Sequence, residues 1–342
     1  MDKQILIDTV QKLLAGDKGL LAMDESVNTC NKRLASLGIP QTEEARRSFR
    51  EWIITTPGLN ESISGAILFD ETIRQQTKDG TSFIEVLKKA GIIPGIKVDK
   101  GAKPMAGFPG EKITEGLDGL RERLKEYVQL GARFAKWRAV ITIGENTPTN
   151  ACIDSNMQRL ANYASLCQEA GLVPIVEPEV LMEGNHTMAQ TFEVTEKVLK
   201  ALFNQLYLQN IFMEGILLKP NMVIAGKNAK TQNSAYEIAE ATVNCLLQSV
   251  PAAVPGIAFL SGGQSSQQAS ERLNAIHKYF SRKLPWVVTF SFSRAIEYPA
   301  IEIWNGEDAN VEKAQKALYH RAKLNATARR GEYDAEMEND IL

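Results

Sequence analysis

Lys219 stands where a buried apolar run, Ile216, Leu217 and Leu218, stops between Gly215 and Pro220. A short continuous apolar run bounded by Gly and Pro reads as a strand covered on both faces, as strands of parallel sheets are. A lysine at such a strand end has two readings. It snorkels to solvent, or its amine is desolvated and pushed toward the neutral form. An unperturbed lysine titrates near ~10.4 and is almost wholly protonated at pH 7, so only the second reading yields a nucleophile. Such an amine condenses with a carbonyl substrate to a Schiff base.

The other apolar runs weigh between these readings. Residues 19–23 run into Asp24, Glu25 and Ser26, and residues 64–69 end near Asp70. Residues 94–98 carry Lys97 and lead to Asp99 and Lys100. In 133–141, Lys136 and Arg138 are two apart and so share one side of a strand. Residues 172–176 end in Glu177, Pro178 and Glu179; 256–260 in Ser261, Gly262 and Gly263; and 286–290 in Ser291, Phe292, Ser293 and Arg294. Helical patterns lie between them, at residues 42–52, 117–130, 156–170, 192–208, 236–247 and 311–326, with a further stripe of Leu273, Ile276 and Phe280. Thr42 followed by two glutamates is a capped helix start. Residues 101–116, with four glycines and two prolines, read as a long loop.

Eight short apolar runs alternating with helices imply an α/β fold with a parallel sheet. Eight units close into a (β/α)8 TIM barrel, here a single domain over residues 1–330 with a polar C-terminal tail at 331–342. Active sites of such barrels lie at the carboxyl ends of the strands. Asp24, Lys97, Lys136, Arg138, Glu177, Lys219, Ser261 and Arg294 then converge on one mouth, which favours a functional Lys219. Lys136 beside Lys219 disfavours protonation of either amine. Glu177 and Asp24 are candidates for proton transfer or for plain counter-ions, and Glu179 for holding an arginine. Ser261, Gly262, Ser291 and Arg294 fall where barrels often bind phosphate. Lys97 or Arg33, with the hydroxyls of Ser26 and Thr29, suits a second phosphate. Together these groups describe a bisphosphate held at both ends over an amine.

Composition narrows the class. The chain has 342 residues, 44% of them hydrophobic, and a formal charge of -2, which gives no global field for nucleic acid or an anionic membrane. No apolar stretch approaches the ~20 residues of a membrane helix. Cys30, Cys152, Cys167 and Cys245 form no CxxC pair and are expected as free thiols in a reducing compartment. With only His186, His277 and His320, and no HExxH spacing, no histidine-built metal centre is expected. Ile5, Leu6, Val10, Leu13 and Leu14 read as a folded amphipathic helix rather than a signal or transit peptide.

The stretch MEGILLKPNM around Lys219, with LLAMDES, GIKVDKG, FAKWRAV, VPIVEPE and FLSGGQS, resembles class I, Schiff-base fructose-bisphosphate aldolases from about Lys18 to about Tyr333. The resemblance implies Lys219 as the Schiff-base nucleophile, Glu177 as general acid/base, and Asp24 and Lys136 as close catalytic partners. It implies Ser261, Gly262 and Arg294 at the phosphate next to the ketone. Ser26, Thr29, Lys97 and Arg138, with Arg33, fall toward the other phosphate or the substrate hydroxyls. It further implies reversible cleavage of fructose 1,6-bisphosphate without metal or other cofactor, a homotetramer, and a cytoplasmic location or a mature plastid form. Competing readings are preference for sedoheptulose bisphosphate or fructose 1-phosphate, and a non-catalytic scaffold. The chain departs from the family pattern twice. Ser293 stands where a glycine is common before the arginine, and the terminal tyrosine of many members is absent, Tyr333 being the last tyrosine here.

Overall fold

A computed structural model describes residues 2–339. Its strands are β1 (Gly19–Met23), β2 (Ile63–Leu68), β3 (Ile93–Lys97), β4 (Ala102–Pro104), β5 (Lys112–Thr114), β6 (Phe134–Ile141), β7 (Val173–Val180), β8 (Leu217–Leu218), β9 (Gly256–Phe259) and β10 (Val287–Phe292). Eight of them close into a barrel in the order β1-β10-β9-β8-β7-β6-β3-β2, every neighbouring pair parallel. This is the (β/α)8 barrel that the alternating pattern predicts.

Alternation of side chains along each strand fills the interior. Leu20, Ala22, Ile67, Phe134, Val173, Ile175, Leu217 and Ala258 form one inner cluster, completed by Leu6, Val10, Leu13 and Leu14. The latter four come from helix Lys3–Leu13 and its end, capped by the Asp2 carboxylate accepting from the Gln4 N–H at 3.0 Å. The Ser64 hydroxyl donates to the Leu13 carbonyl at 2.6 Å, so this helix plugs the amino-terminal end of the barrel. Gly95 is required inside: a Cβ there would stand 2.2 Å from the Phe134 ring.

The structure departs from the sequence reading in four places. Residues 101–116 are not all loop, since β4 and β5 pair in an antiparallel hairpin. β7 does not stop at residue 176 but runs to Val180, despite Pro178; Glu177 and Glu179 therefore sit on the strand itself. Helix Val27–Ser36 follows β1, with the Ser26 hydroxyl as its cap. Helix Arg294–Trp304 follows β10 and contains Pro299, a residue that ordinarily argues against a helix interior.

Residues 331–339 pack back onto the barrel. The Tyr333 N–H donates to Asn274 Oδ1 at 2.9 Å, its hydroxyl donates to Glu338 at 2.6 Å, and Glu338 pairs with Arg321. The last part of the expected tail, residues 340–342, lies outside the described residues. The four cysteines are buried and unpaired, and no described helix is long and apolar enough to cross a membrane.

Candidate active site

The inward parity of the strands carries straight into the chemistry. Asp24 lies two residues past the inward Ala22, Lys136 two past Phe134, Glu177 two past Ile175 and Lys219 two past Leu217. All four therefore point into the mouth at the carboxyl end of the barrel. Main-chain bonds fix Lys219 from both sides. Its N–H donates to the Val176 carbonyl at 2.9 Å, and the next residue, Pro220, accepts from the Leu260 N–H at 3.1 Å.

Glu177 is the hub. One carboxylate oxygen lies 3.2 Å from Lys219 Nζ and the other 3.2 Å from Lys136 Nζ. Lys136 also meets Asp24 at 2.6 Å. Both amines and Glu177 are buried, at 3 to 4% exposure, so these charges interact with little screening by water. Burial alone would raise both carboxyls. Lys136, Lys219 and Lys97 outweigh it at Asp24 and hold that group at about 2, and Lys136, Lys219 and Arg138 hold Glu177 below its ordinary range. Burial would lower Lys136, but Asp24, Glu177 and Asp99 push it well upward. Lys136 is therefore a fixed ammonium, and the expectation that the neighbouring amine disfavours its protonation fails because Asp24, Glu177 and Asp99 outweigh that repulsion.

A cavity of about 1070 Å³ opens over this cluster, and all thirteen residues singled out from the sequence line it. At one side stand Ser261, Gly262 and Gly263, the two glycines in left-handed backbone with φ of 53° and 81°. Arg294 is exposed, and its guanidinium comes within 3.5 Å of where a Cβ on Gly263 would be. Ser291 Oγ is buried there with no protein partner. The loops after β9 and β10 thus bring backbone N–H groups, a hydroxyl and a guanidinium to one place, a set suited to a phosphate.

Across the mouth, Lys97 Nζ pairs with Asp99 at 2.6 Å, and Arg138 pairs with Glu179, the arginine-holding role foreseen for that glutamate. Ser26 accepts from the Thr29 N–H as a helix cap, and the two hydroxyls lie 3.1 Å apart at the rim. Arg33 lines the cavity but is already engaged by Glu25, Glu297 and the Ser293 hydroxyl. The sequence reading assigned no role to Asp99, Glu25 or Glu297. Asp99 was legible as a charge just past a strand end; Glu297 was not, because its helix was not foreseen. Among the described residues, no group of three or more His, Cys, Asp or Glu side chains is arranged to hold a metal ion.

Comparison with known proteins places the chain in a family. The family model described as fructose-bisphosphate aldolase class-I, glycolytic, matches residues 5–341. A probable fructose-bisphosphate aldolase class 1 of Xanthomonas axonopodis pv. citri (strain 306) is 54% identical, covering 97% of this chain and 99% of its own. The chain belongs to the class I fructose-bisphosphate aldolase family. As a member of that family it is a lyase. Fructose-bisphosphate aldolase 4, cytosolic, of Arabidopsis thaliana is 49% identical over 94% of this chain and 81% of its own. A solved structure of the Plasmodium falciparum fructose-bisphosphate aldolase, in complex with TRAP and a small-molecule inhibitor, superimposes with a TM-score of 0.95 at 44% identity. It covers 97% of this chain and 96% of that one.

Proposed function

We propose that this aldolase cleaves fructose 1,6-bisphosphate reversibly to dihydroxyacetone phosphate and glyceraldehyde 3-phosphate, with Lys219 as the Schiff-base nucleophile. The observation that carries the assignment is the placement of Glu177, 3.2 Å from Lys219 and from Lys136 at the floor of a cavity whose rim bears the phosphate-type groups. The Lys219 amine attacks the ketone carbon of the open-chain sugar. Glu177 carries one proton from the attacking nitrogen to the carbonyl oxygen, giving a hydroxyl, and a second proton, drawn from solvent, lets that hydroxyl leave as water and an iminium remain. The iminium draws electrons from the adjacent carbon–carbon bond as Glu177 or Asp24 removes the neighbouring hydroxyl proton, and glyceraldehyde 3-phosphate departs. Protonation and hydrolysis of the enamine then release dihydroxyacetone phosphate. The Lys136 ammonium stabilises the carboxylates through these proton transfers.

Ser261, Gly262, Ser291 and Arg294 bind the phosphate next to the ketone. Lys97, Arg138, Ser26 and Thr29 face the other phosphate and the sugar hydroxyls, with Arg33 behind them. The covalent iminium serves as the electron sink, so we assign no metal or other cofactor. We further assign a single folded unit over residues 1–330 with an appended tail, a homotetramer, and a cytoplasmic place in glycolysis and gluconeogenesis, with the Calvin cycle as the alternative for a plastid form; relatives described as cytosolic support the cytoplasmic location.

The test is borohydride reduction in the presence of substrate and EDTA, followed by peptide mass mapping. The expected product is a stable adduct on Lys219, absent from Lys219→Met together with cleavage activity. No adduct, with Lys219→Met still fully active, would remove the lysine from the mechanism.

A further inference from the structure

Two carboxyl groups meet at the rim of the cavity with one guanidinium between them. Glu25 follows Asp24 just past β1, Glu297 lies in the first turn of helix Arg294–Trp304, and both are buried, at 8% and 0% exposure. Arg33 Nη1 donates to Glu297 Oε2 at 2.8 Å and also to Glu25 Oε1, while its Nη2 donates to Ser293 Oγ at 3.1 Å. Ser293 Oγ lies 3.0 Å from Glu25 Oε1 and 3.1 Å from Glu297 Oε2. One oxygen of each carboxyl therefore converges on the same two groups. Ser293 occupies the position of a helix cap but caps nothing; its hydroxyl is turned to the carboxyls instead.

With both carboxyls ionised the cluster would carry one uncompensated negative charge. Arg33 supplies a single positive charge. Arg50, the next cation, donates to the Glu25 carbonyl oxygen at 2.8 Å and pairs with Glu71 at 3.0 Å. Asp24 adds negative charge alongside but is held by Lys136. The Cys30 thiol nearby is pushed up to about 11 by burial and stays neutral, and the Tyr298 ring lies 5.9 Å from the Arg33 guanidinium. An unpaired buried carboxylate costs several kcal/mol, and two carboxyls this close cannot both ionise freely. In keeping with that geometry, burial and the neighbouring Glu25 push Glu297 well above the usual carboxyl range. Burial would also raise Glu25, but Arg33 holds it below.

We propose that Glu25 and Glu297 share one proton, and that the resulting neutral unit with Arg33 and Ser293 is a positioning device for the Arg294 turn. Ser293 and Glu297 flank Arg294, one residue before it and three after, so the unit pins that turn from both sides. It also withholds Arg33 from the substrate, whose second phosphate is left to Lys97 and Arg138. Glu297 and Ser293 are thus positioning residues. Their effect on affinity rests on the reading of Arg294 as a phosphate contact.

Infrared spectra at pH 8 in H₂O and D₂O read the shared proton directly. Wild type is expected to show the carbonyl stretch of a protonated carboxyl that shifts in D₂O, and Glu297→Gln to lack it. No such band, or the same band in Glu297→Gln, would overturn the shared proton. In steady-state kinetics Glu297→Leu is expected to raise KM roughly three- to tenfold with little change in kcat, and Glu297→Gln, which keeps the shape and hydrogen bonding, to recover most of that loss. Ser293→Ala should raise KM in the same range and serves if the leucine variant fails to fold. An unchanged KM in these variants, or kcat falling in step with KM, would overturn the positioning role. Arg294→Ala separates the two readings. If it leaves KM unchanged, the phosphate assignment of Arg294 has failed, while the infrared result still decides the proton.

Discussion

Lys136 is held by two carboxylates, Asp24 at 2.6 Å and Glu177 at 3.2 Å, in surroundings with almost no water contact. Such a group is costly to bury and costlier to break. Removing one partner of a buried pair leaves the other charge uncompensated, at about 3–5 kcal/mol, whereas removing both charges together is often close to neutral. Lys136→Met is therefore expected to lose about that much stability at pH 7, and the double variant with Asp24→Asn to regain a good part of it. Urea midpoints of the two single variants and the double variant measure the coupling. Losses that simply add would show that Asp24 and Lys136 do not stabilise one another. The pH dependence follows from the same contacts. Asp24, depressed to about 2, adds stability that is complete above its unfolded value near ~3.9 and is lost as pH falls from there through 2. Lys136, raised, adds stability present below its unfolded value near ~10.4 and lost only as pH rises through the folded value.

At the scale of elements, the two ends of the barrel have separate tasks. Helix Lys3–Leu13 seals the amino-terminal end with Leu6, Val10 and Leu13, which pack against the inner residues of β1, β2, β6, β7, β8 and β9. Leu13 is fully buried there, and Leu13→Ala should cost about 2–5 kcal/mol as a core truncation. Because the groups proposed as catalytic sit at the opposite end, its KM and kcat at 25 °C are expected to stay at wild-type values. A fall in kcat as large as the fall in stability would mean that the plug and the mouth are mechanically coupled. The same division explains what could be read from the sequence. Continuous apolar runs ending in charge gave the barrel and the charged strand-end residues of the cavity, because strand ends are local signals, whereas Glu25 and Asp99, which also line it, were given no role. The hairpin of β4 and β5 was hidden by glycines and prolines that read as loop. Pro178 masked the end of β7, and Pro299 masked helix Arg294–Trp304, so Glu297 went unrecognised. Pairings such as Arg33 with Glu297, 264 residues apart, depend on the closed barrel and leave no local pattern.

The whole molecule closes on itself through its last helix. Arg329, at the end of helix Val311–Arg329, donates to the Leu14 carbonyl at 3.1 Å and to that of Lys18, tying the carboxyl-terminal helix to the segment that enters β1. His277 faces this junction from helix Ser266–Phe280, with its Nε2 buried and without a hydrogen-bond partner. Burial and the Arg329 charge hold its imidazole down to about 4. The folded chain therefore keeps His277 neutral over a range in which the unfolded chain, titrating near ~6.5, binds a proton. The unfolded state binds more protons between those values, so stability is complete above pH ~6.5 and declines as pH falls toward 4, by on the order of 3 kcal/mol from this one residue. His186, lowered by burial, acts in the same direction. His277→Gln cannot take up the proton and should show a visibly shallower loss of urea midpoint between pH 7 and pH 4.5 than wild type, with the His186 contribution remaining. Parallel declines for the two proteins would mean that His277 titrates alike folded and unfolded, and that the acid sensitivity of the junction lies elsewhere.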